Sequence, residues 1–123
     1  MTQQVLMDQS LAPTGPELAA KFFRGLGDPT RVKILQILLE QGDKNVGELV
    51  DLLGSPQGRV SSHLACLRGC GYAQSYRDGK NVYYTIGDPR VREILLLAQQ
   101  ILFDNLQRIL ECEIIQIETE GVQ

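Results

Sequence analysis

The sequence predicts a mainly α-helical fold that carries one β-hairpin, in the order helix, helix, helix, helix, strand, strand, helix. Apolar residues recur at spacings of three and four along most of the chain, but at a spacing of two between residues 72 and 86. Within that section, Asp78-Gly79 separates two strand-like runs, which is a strong hairpin signal. The 123 residues, of which 43% are apolar, are enough for one packed domain.

The first two helices are delimited by glycine and proline. A helix is predicted from Pro16 to Leu26, and Gly27 ends it. Asp28 then caps a second helix, whose first residue is Pro29. Because the second helix is apolar over most of its circumference, we expect it to be the central core helix.

Two short helices separated by a tight turn follow. Asn45 caps a helix that runs from residue 46 to residue 53, and Gly54 ends it. Ser55-Pro56 begins the next helix at once, and this helix reaches about Leu67. So short a gap between two helices predicts a helix-turn-helix.

The hairpin comes next, and a long helix closes the sequence. The strands are predicted over residues 72–76 and 81–86, with Asp-Gly favouring a type I′ turn that has positive φ at both central positions. Asp88-Pro89 opens a helix that continues to about Ile115. Its apolar stripe has more surface than one small core can cover, so it is the predicted seam of a homodimer.

This order of elements predicts one winged helix-turn-helix domain over residues 16–118, with flexible segments at 1–15 and 119–123. No apolar run reaches 18 residues, so no membrane span is predicted. The first residues lack the layout of a signal peptide, and we expect a cytoplasmic protein. The sole histidine has no catalytic triad around it, so the sequence does not predict an enzyme.

The net charge of −3 hides an uneven distribution of charge. Residues 55–92 carry six basic side chains against two acidic ones, whereas residues 93–123 carry six acidic side chains against one arginine. A basic middle section is typical of a domain that binds DNA with one face.

The polar half of the second helix-turn-helix helix is the candidate DNA-reading element. Gln57 can bond adenine in two places, and Arg59 can bond guanine or a phosphate. The serines are short donors suited to phosphate. The predicted DNA contacts are Gln57, Arg59, Ser61, Ser62 and His63 on the helix, with Arg77 and Lys80 at the wing tip.

Each of these features also has a plainer interpretation. The polar helix face and the basic hairpin tip can be solvated surface that only keeps the protein soluble. His63 can be a helix-packing residue or, less in keeping with its position, a metal ligand. The helix-turn-helix before it and the basic hairpin after it favour the DNA-binding interpretation.

Three cysteines, an odd number, cannot all pair within one chain. Cys66 and Cys70 lie four apart at the end of the candidate DNA-reading helix, and Cys112 continues the apolar stripe of the last helix. Three thiolates favour soft metal ions: Cd(II), Pb(II), Hg(II) or trivalent arsenic. The alternatives are small core thiols and a redox pair, which strained helix geometry disfavours.

Four stretches of the sequence resemble the ArsR/SmtB family of metal-responsive repressors. They are LGDPTRVKIL (26–35), VGELVDLLG (46–54), VSSHLACLRGCGY (60–72) and RDGKNVYYTI (77–86). The resemblance covers about residues 17–115. It implies a cytoplasmic homodimer that binds an inverted-repeat operator in double-stranded DNA when metal-free and releases it when a metal binds.

Within that family, HLACLRGCG followed by a late cysteine resembles the CmtR-type cadmium/lead sensors. This resemblance implies a metal site of Cys66, Cys70 and Cys112, with Cys112 supplied by the other subunit. Cd(II) or Pb(II) is the inducer expected first, and Hg(II) or As(III) second. ELVDL holds no cysteine, unlike the arsenic-sensor pattern, and the last helix holds no histidine, unlike the zinc pattern.

Two other functions are open on the sequence. A thiol redox or persulfide sensor on the same fold would respond to oxidants without a metal. A cytosolic metal-buffering protein would bind metal but no specific DNA, and it would leave the polar helix face and the basic wing unexplained.

Overall fold

The computed structural model describes residues 15–112. The segments 1–14 and 113–123 lie outside the described residues, and with them most of the predicted flexible N-terminal segment, the predicted tail and the end of the predicted last helix. The elements are α1 Gly15–Gly25, α2 Pro29–Gln41, β1 Lys44–Asn45, α3 Val46–Leu53, α4 Gln57–Gly69, β2 Ala73–Asp78, β3 Asn81–Ile86, α5 Arg90–Asp104 and α6 Leu106–Leu110.

These elements form a winged helix-turn-helix, as the sequence predicts. The chain divides into two compact units, one that ends at Asp88 and one that begins at Pro89. The first unit contains α1 to β3 and therefore the whole helix-turn-helix and the hairpin. In the described residues, no helix has the length and apolar character needed to cross a membrane.

Helix α2 is the centre of the core in the first unit, which confirms the prediction from its apolar circumference. Four of its side chains are buried: Ile34, Leu35, Ile37 and Leu38. Helices α3 and α4 each turn one apolar face inward, and these faces bury Leu49, Val60, Leu64 and Leu67.

The predicted caps are confirmed where they depend on local chemistry. The carboxylate of Asp28 accepts a bond of 3.1 Å from the backbone N–H of Arg31. Asn45 and Glu48 form a reciprocal capping box with bonds of 2.8 and 2.9 Å. Gly54 ends α3 in the left-handed region. Helix α4 begins at Gln57 after Pro56, with no side-chain cap, so Ser55 does not cap it.

The sheet has three strands, in the order β1-β3-β2, rather than the two predicted. The extra strand is the pair Lys44–Asn45, which lies opposite Tyr84 and Tyr83 of β3. A two-residue strand is too short to show a period of two in the sequence, so residue periodicity could not reveal it. The strand fixes the base of the wing to the start of α3.

The hairpin turn differs from the predicted type. Asp78 pairs with Asn81, so the two central residues are Gly79 and Lys80. Gly79 has φ +66°, and no non-glycine residue within 15–112 has positive φ. The type I′ prediction, which needs two positive φ values, is therefore wrong. Glycine at the first central position is typical of a type II′ turn.

The second unit shows that the prediction of one continuous last helix is wrong. Helix α5 ends at Asp104, and the short helix α6 follows Asn105. The Asn105 side chain donates a 3.0 Å bond back to the carbonyl of Ile101, and such local bonds compete with helix continuation. Cys112 follows α6 and is exposed rather than being part of the helix.

Candidate DNA-reading surface and thiol groove

The DNA-reading candidates lie on the outer face of α4, because Val60, Leu64 and Leu67 fill its inner face and are fully buried. On a helix of 3.6 residues per turn, side chains opposite this inner face point outward. The exposed members of the predicted set are Gln57, Arg59, Ser61 and Ser62. The structure therefore presents these four side chains together at the N-terminal half of α4.

The two serines of this face are not equivalent. The Ser62 hydroxyl donates a 3.0 Å bond to the carbonyl of Gly58, one turn earlier. Its proton is therefore engaged, and Ser62 can donate to a phosphate only by giving up that bond. Ser61 is exposed beside it, so Ser61 is the simpler phosphate donor of the pair.

His63 lies between helices instead of on the outer face. Its side chain is 16% exposed, and Nε2 is 3.8 Å from the carboxylate of Asp28. Its Nδ1 is 3.4 Å from the guanidinium of Arg31. Because a guanidinium can only donate, Nδ1 is the acceptor in this contact. This packing matches the plainer interpretation of His63, and its DNA contact stays a prediction.

The wing tip presents its two predicted basic residues as exposed side chains, Arg77 near the end of β2 and Lys80 in the turn itself. Behind them, Tyr76 stacks on its cross-strand partner Tyr83 with ring centroids 5.8 Å apart. The Tyr76 hydroxyl donates a 2.6 Å bond to the carboxylate of Asp43, just before β1. The wing is thereby tied to the turn that precedes α3.

The Tyr76–Asp43 hydrogen bond shifts the pKa values of both groups. The hydroxyl of Tyr76, followed by that of Thr85, lowers the pKa of Asp43 by donating to its carboxylate. The same bond to Asp43 is the main reason why the pKa of Tyr76 is raised to about 12. The bond therefore weakens on strong acidification and at high pH.

Cys66 and Cys70 lie at the opposite end of α4, and both are half-buried free thiols. The two thiols are close enough together for Cys66 to raise the pKa of Cys70. They line a groove of about 300 Å³ together with Lys21, Arg24 and Arg31, all of the first unit. The structure therefore brings two of the three predicted ligands together, in a positively charged setting. We call this the thiol groove, and its sixth lining residue is Gly25.

Burial is the largest influence on the Cys70 thiol and raises its pKa. The neighbouring Cys66 raises the pKa of Cys70 further, whereas Lys21 and Arg31 oppose the rise by favouring the thiolate. The net effect of the groove is to favour the neutral thiol of Cys70 over its thiolate.

Arg31 connects the thiol groove with α4 and α1. Its guanidinium donates to the carbonyls of Gly25 and Arg24, both at 2.9 Å. These carbonyls belong to the last turn of α1, where helix geometry leaves C=O groups without partners inside the helix; the Arg24 carbonyl also accepts a 3.1 Å bond from the backbone N–H of Gly27. The third nitrogen faces His63, so one side chain spans the end of α1, the thiol groove and the DNA-reading helix.

The floor of the thiol groove is tightly packed. Tyr72 is buried, and its hydroxyl donates to the carbonyl of Phe22. Burial, with the two thiols nearby, raises the pKa of Tyr72 to about 12. A Cβ atom on Gly25 would lie 2.8 Å from Cε2 of Tyr72 and 3.2 Å from Sγ of Cys70. Only glycine therefore fits between α1 and the thiol.

The third predicted ligand, Cys112, is exposed and belongs to the second unit. Within residues 15–112 of one chain, no three His, Cys, Asp or Glu side chains lie close enough together to hold a metal ion. The three-cysteine site therefore stays a prediction, and completing it requires ligands beyond the pair in α4.

Sequence reasoning missed Arg31 and Asp43 as residues of these sites. Arg31 reaches a carbonyl seven residues earlier and a histidine 32 residues later, and no local pattern shows such contacts. A partial signal was present, because a polar residue inside an otherwise apolar core helix needs partners. Asp43 stands in a polar turn and carries no local signal.

Three comparisons with known proteins place this chain in one family. The model of the arsR family of bacterial regulatory proteins (HTH_5) matches residues 28–75. The probable mercury resistance operon repressor of Streptomyces lividans is 45% identical over 110 residues, which cover 89% of this chain and 86% of that protein. The cadmium resistance transcriptional regulatory protein CadC homolog of Staphylococcus aureus is 34% identical over 87 residues, covering 71% and 72%. The regulator CmtR of Mycobacterium tuberculosis is 41% identical over 76 residues, covering 62% and 64%.

Solved structures agree with this placement. The crystal structure of M. tuberculosis Rv0081 matches with a TM-score of 0.70 and 34% identity, over 75% of this chain and 92% of that one. A homodimeric winged helix-turn-helix DNA-binding domain, Mb0332 of Mycobacterium bovis, matches with a TM-score of 0.67 and 26% identity, over 80% and 88%. These relatives are transcription regulators and not enzymes. On sequence, fold and matched length, this chain belongs to the arsR family of DNA-binding bacterial transcription regulators.

Proposed function

We propose that this protein is a homodimeric repressor that binds operator DNA when metal-free and releases it when a soft metal ion binds its cysteines. One observation carries the proposal: Cys66 lies in the last turn of α4 and Cys70 caps that helix, whose first half carries the exposed DNA-reading candidates. A ligand that ties down one end of α4 acts directly on the element that reads DNA.

The dimer is supported by the second unit. Helix α5 and the residues after it leave large apolar side chains in solvent, with Phe103 83% exposed. The others are Leu96, Leu97, Ile101, Leu102, Leu106 and Leu110. Soluble monomers rarely expose so many neighbouring apolar groups. The mass in solution should therefore be twice the chain mass of 13.7 kDa.

On DNA, each half of the dimer would place α4 in the major groove of one operator half-site, and the half-sites would lie one helical turn apart. Gln57 and Arg59 would read base edges, and Ser61 and Ser62 would hold phosphates. Arg77 and Lys80 would contact the backbone or the minor groove beside each half-site. His63 would position α4 from behind.

The donor set favours a thiophilic ion. Cys66 and Cys70 supply two adjacent sulfurs, and Cys112 of either subunit would supply the third. Thiolates select soft metals over Mg, Ca or Mn. The expected inducers are Hg(II), Cd(II) and Pb(II), with As(III) after them. Relatives named for mercury and cadmium support this class.

The route from metal to DNA runs through Arg31. Closing the thiol pair around an ion pulls on the end of α4, whose middle His63 contacts the Arg31 guanidinium. The same guanidinium holds the end of α1. Release of DNA by about 5–150-fold corresponds to a coupling free energy of about 1–3 kcal/mol.

The test begins by selecting an operator from random double-stranded DNA with the metal-free protein. Fluorescence anisotropy then follows operator binding while Hg(II), Cd(II) or Pb(II) is added, and ultraviolet absorption follows thiolate-to-metal charge transfer. We expect release of DNA together with the absorption, and loss of both in Cys66→Ser. A wild-type response of Cys112→Ser would remove Cys112 from the site, and unchanged DNA affinity under every metal would refute the mechanism.

The same experiment separates the redox alternative. A thiol redox or persulfide sensor would release DNA on addition of oxidant or polysulfide to metal-free protein, with no charge-transfer band. The contact between the two thiols makes this arm necessary. A metal-buffering protein would select no operator, and the family of DNA-binding regulators to which the chain belongs speaks against it.

A further inference from the structure

The thiol groove has a charge that does not suit a bare metal cation. Lys21, Arg24 and Arg31 line it with the two cysteines. Within the described residues, none of the three forms an ion pair with a carboxylate. Three positive charges would repel an approaching dication, yet the thiols at the centre are soft-metal ligands. The contradiction disappears if the metal arrives in a negatively charged form.

Arg31 is already engaged, since it donates to the carbonyls of Arg24 and Gly25. Lys21 and Arg24 are different, because both side chains are exposed. They lie three residues apart on α1 and therefore on the same side of that helix. The two exposed cations Lys21 and Arg24, together with the engaged Arg31, form a receptor for an anion that carries carboxylates.

We propose that the thiol groove takes the metal as an anionic complex with small, carboxylate-bearing thiols, and that Lys21 and Arg24 bind those carboxylates. The inference rests on the proposed function and adds the chemical form of the inducer. In a compartment that keeps thiols reduced, a thiophilic ion is held by thiols and not by water. Small thiols that carry carboxylates make such complexes anionic.

The transfer itself is a ligand exchange without redox change. For Hg(II), the bonds from the metal to two carrier sulfurs break, and bonds to Sγ of Cys66 and Sγ of Cys70 form. The two protein thiol protons pass to the departing thiolates, which leave as thiols. The metal keeps its charge of two, and the carboxylates stay on the carrier. The cations accelerate the encounter and contribute no bond to the product.

The test measures the rate of transfer as a function of carrier charge. Reduced protein is mixed at low salt with Hg(II) held by mercaptosuccinate, by 2-mercaptoethanol or by cysteamine, which are anionic, neutral and cationic carriers. A maleimide then caps the remaining protein thiols, and mass spectrometry counts metal-loaded chains. Electrostatic steering should make loading from mercaptosuccinate about tenfold faster than from the neutral carrier, and salt near 1 M should remove the difference.

The three carriers also differ in how readily they release Hg(II). Comparing protein variants with the same carrier removes this difference. Lys21→Gln combined with Arg24→Gln should slow loading from mercaptosuccinate about tenfold and leave loading from 2-mercaptoethanol unchanged. The Arg24 carbonyl that Arg31 holds is backbone, so this contact survives. Lys33→Gln is the matched control, because Lys33 is exposed on α2 and two residues, about 200° of helix rotation, from Arg31.

The outcomes are distinct for the two proposals. Equal loading rates from mercaptosuccinate in wild type and in the double variant would overturn the inference, as would an equal slowing for all three carriers. In that case, loading from Hg(II) chloride alone would leave the proposed function standing. If the protein takes up neither Hg(II) nor Cd(II), Pb(II) or As(III) from any source, the proposed function fails with it.

Discussion

Gly25 allows the sharpest test of how the thiol groove is built. It is the last residue of α1, it is buried, and it separates that helix from Tyr72 and Cys70. Changing it to alanine adds one methyl group at this contact and alters no charge. The substitution therefore probes packing alone, at a position where the free energy of unfolding and the metal affinity should change together.

The contact distances give the size of the effect. The new Cβ would lie 2.8 Å from the Tyr72 ring and 3.2 Å from Sγ of Cys70. The ring cannot retreat, because it is 1% exposed, packs 4.9 Å from Phe22 and is held there through its hydroxyl. Overpacking of this kind destabilises by about 1–3 kcal/mol. Alanine has a better helix propensity than glycine, which stabilises the variant by about 1 kcal/mol. We therefore expect the free energy of unfolding to fall by about 1 kcal/mol in total.

The assay is urea unfolding at a fixed chain concentration, because the stability of a dimer depends on concentration. Gly58→Ala is the matched control, since its Cβ would meet nothing within 4 Å at the exposed start of α4. This control should raise the free energy of unfolding by up to about 1 kcal/mol. Metal affinity should fall about tenfold in Gly25→Ala, because metal–ligand distances tolerate only about 0.2 Å.

One result would refute the reasoning about this contact. If Gly25→Ala were at least as stable as the wild type and bound Hg(II) or Cd(II) with the same affinity, α1 would not press on Cys70. A loss of stability without a loss of metal affinity would refute only the part that concerns the thiol.

Three further predictions concern the wing and the start of α3. Tyr76→Phe should raise the pKa of Asp43, because the Tyr76 hydrogen bond lowers that pKa in the folded state. In wild type, this bond therefore stabilises the fold at pH values above the unfolded-state pKa of Asp43. The stabilisation is lost as the pH falls through the folded-state pKa. Urea unfolding measured as a function of pH should thus show a smaller loss of stability on acidification in the variant than in wild type. If Arg77 and Lys80 each contact one phosphate, Arg77→Ala and Lys80→Ala should each reduce the slope of the log of the DNA-binding constant against the log of the salt concentration by about 0.9. Anisotropy titrations on the selected DNA measure this slope, and an unchanged slope would exclude the contact. Asn45→Ala should cost about 1 kcal/mol by removing the capping box, measured by thermal unfolding against Asn81→Ala, and equal stability of the two would contradict it.

The elements that the sequence predicts well are those whose ends depend on neighbouring residues. Asp28 before Pro29, Asn45 and Gly54 all adopt the expected cap geometry, and Glu48 adds a capping box to the Asn45 cap. A cap forms between residues two to four positions apart, so the residues that decide it stand together in the sequence.

The failures share a different cause. Strand β1 exists because Lys44 and Asn45 pair with residues of β3 almost forty positions later. The turn type depended on which residue pair closes the ladder, and pairing of Asp78 with Asn81 moved the turn by one position. The break at Asn105 comes from one polar side chain that competes with the helix. Long-range register and single competing bonds do not appear in hydrophobic periodicity.

The same division applies to the candidate site. The spacing of Cys66 and Cys70 identifies a thiol pair, because residues four apart share a helix face. The spacing gives no view of the groove, whose cations come from α1 and from Arg31 of α2. The distribution of charge along the sequence indicated a different basic surface. It places the basic section at residues 55–92, which we interpreted as a DNA-binding face.

Because of the thiol groove, the net charge of −3 does not describe where this protein presents positive charge. Two separate positive surfaces exist at the two ends of one helix, an arginine-bearing reading face at its start and a lysine- and arginine-lined thiol groove at its end. DNA would occupy the first. The second contains the residues that we propose bind the inducer, so its charge would act on the form in which the metal arrives. If both proposals hold, the repressor would select its signal twice, by the softness of the metal at Cys66 and Cys70 and by the charge of the carrier at Lys21 and Arg24.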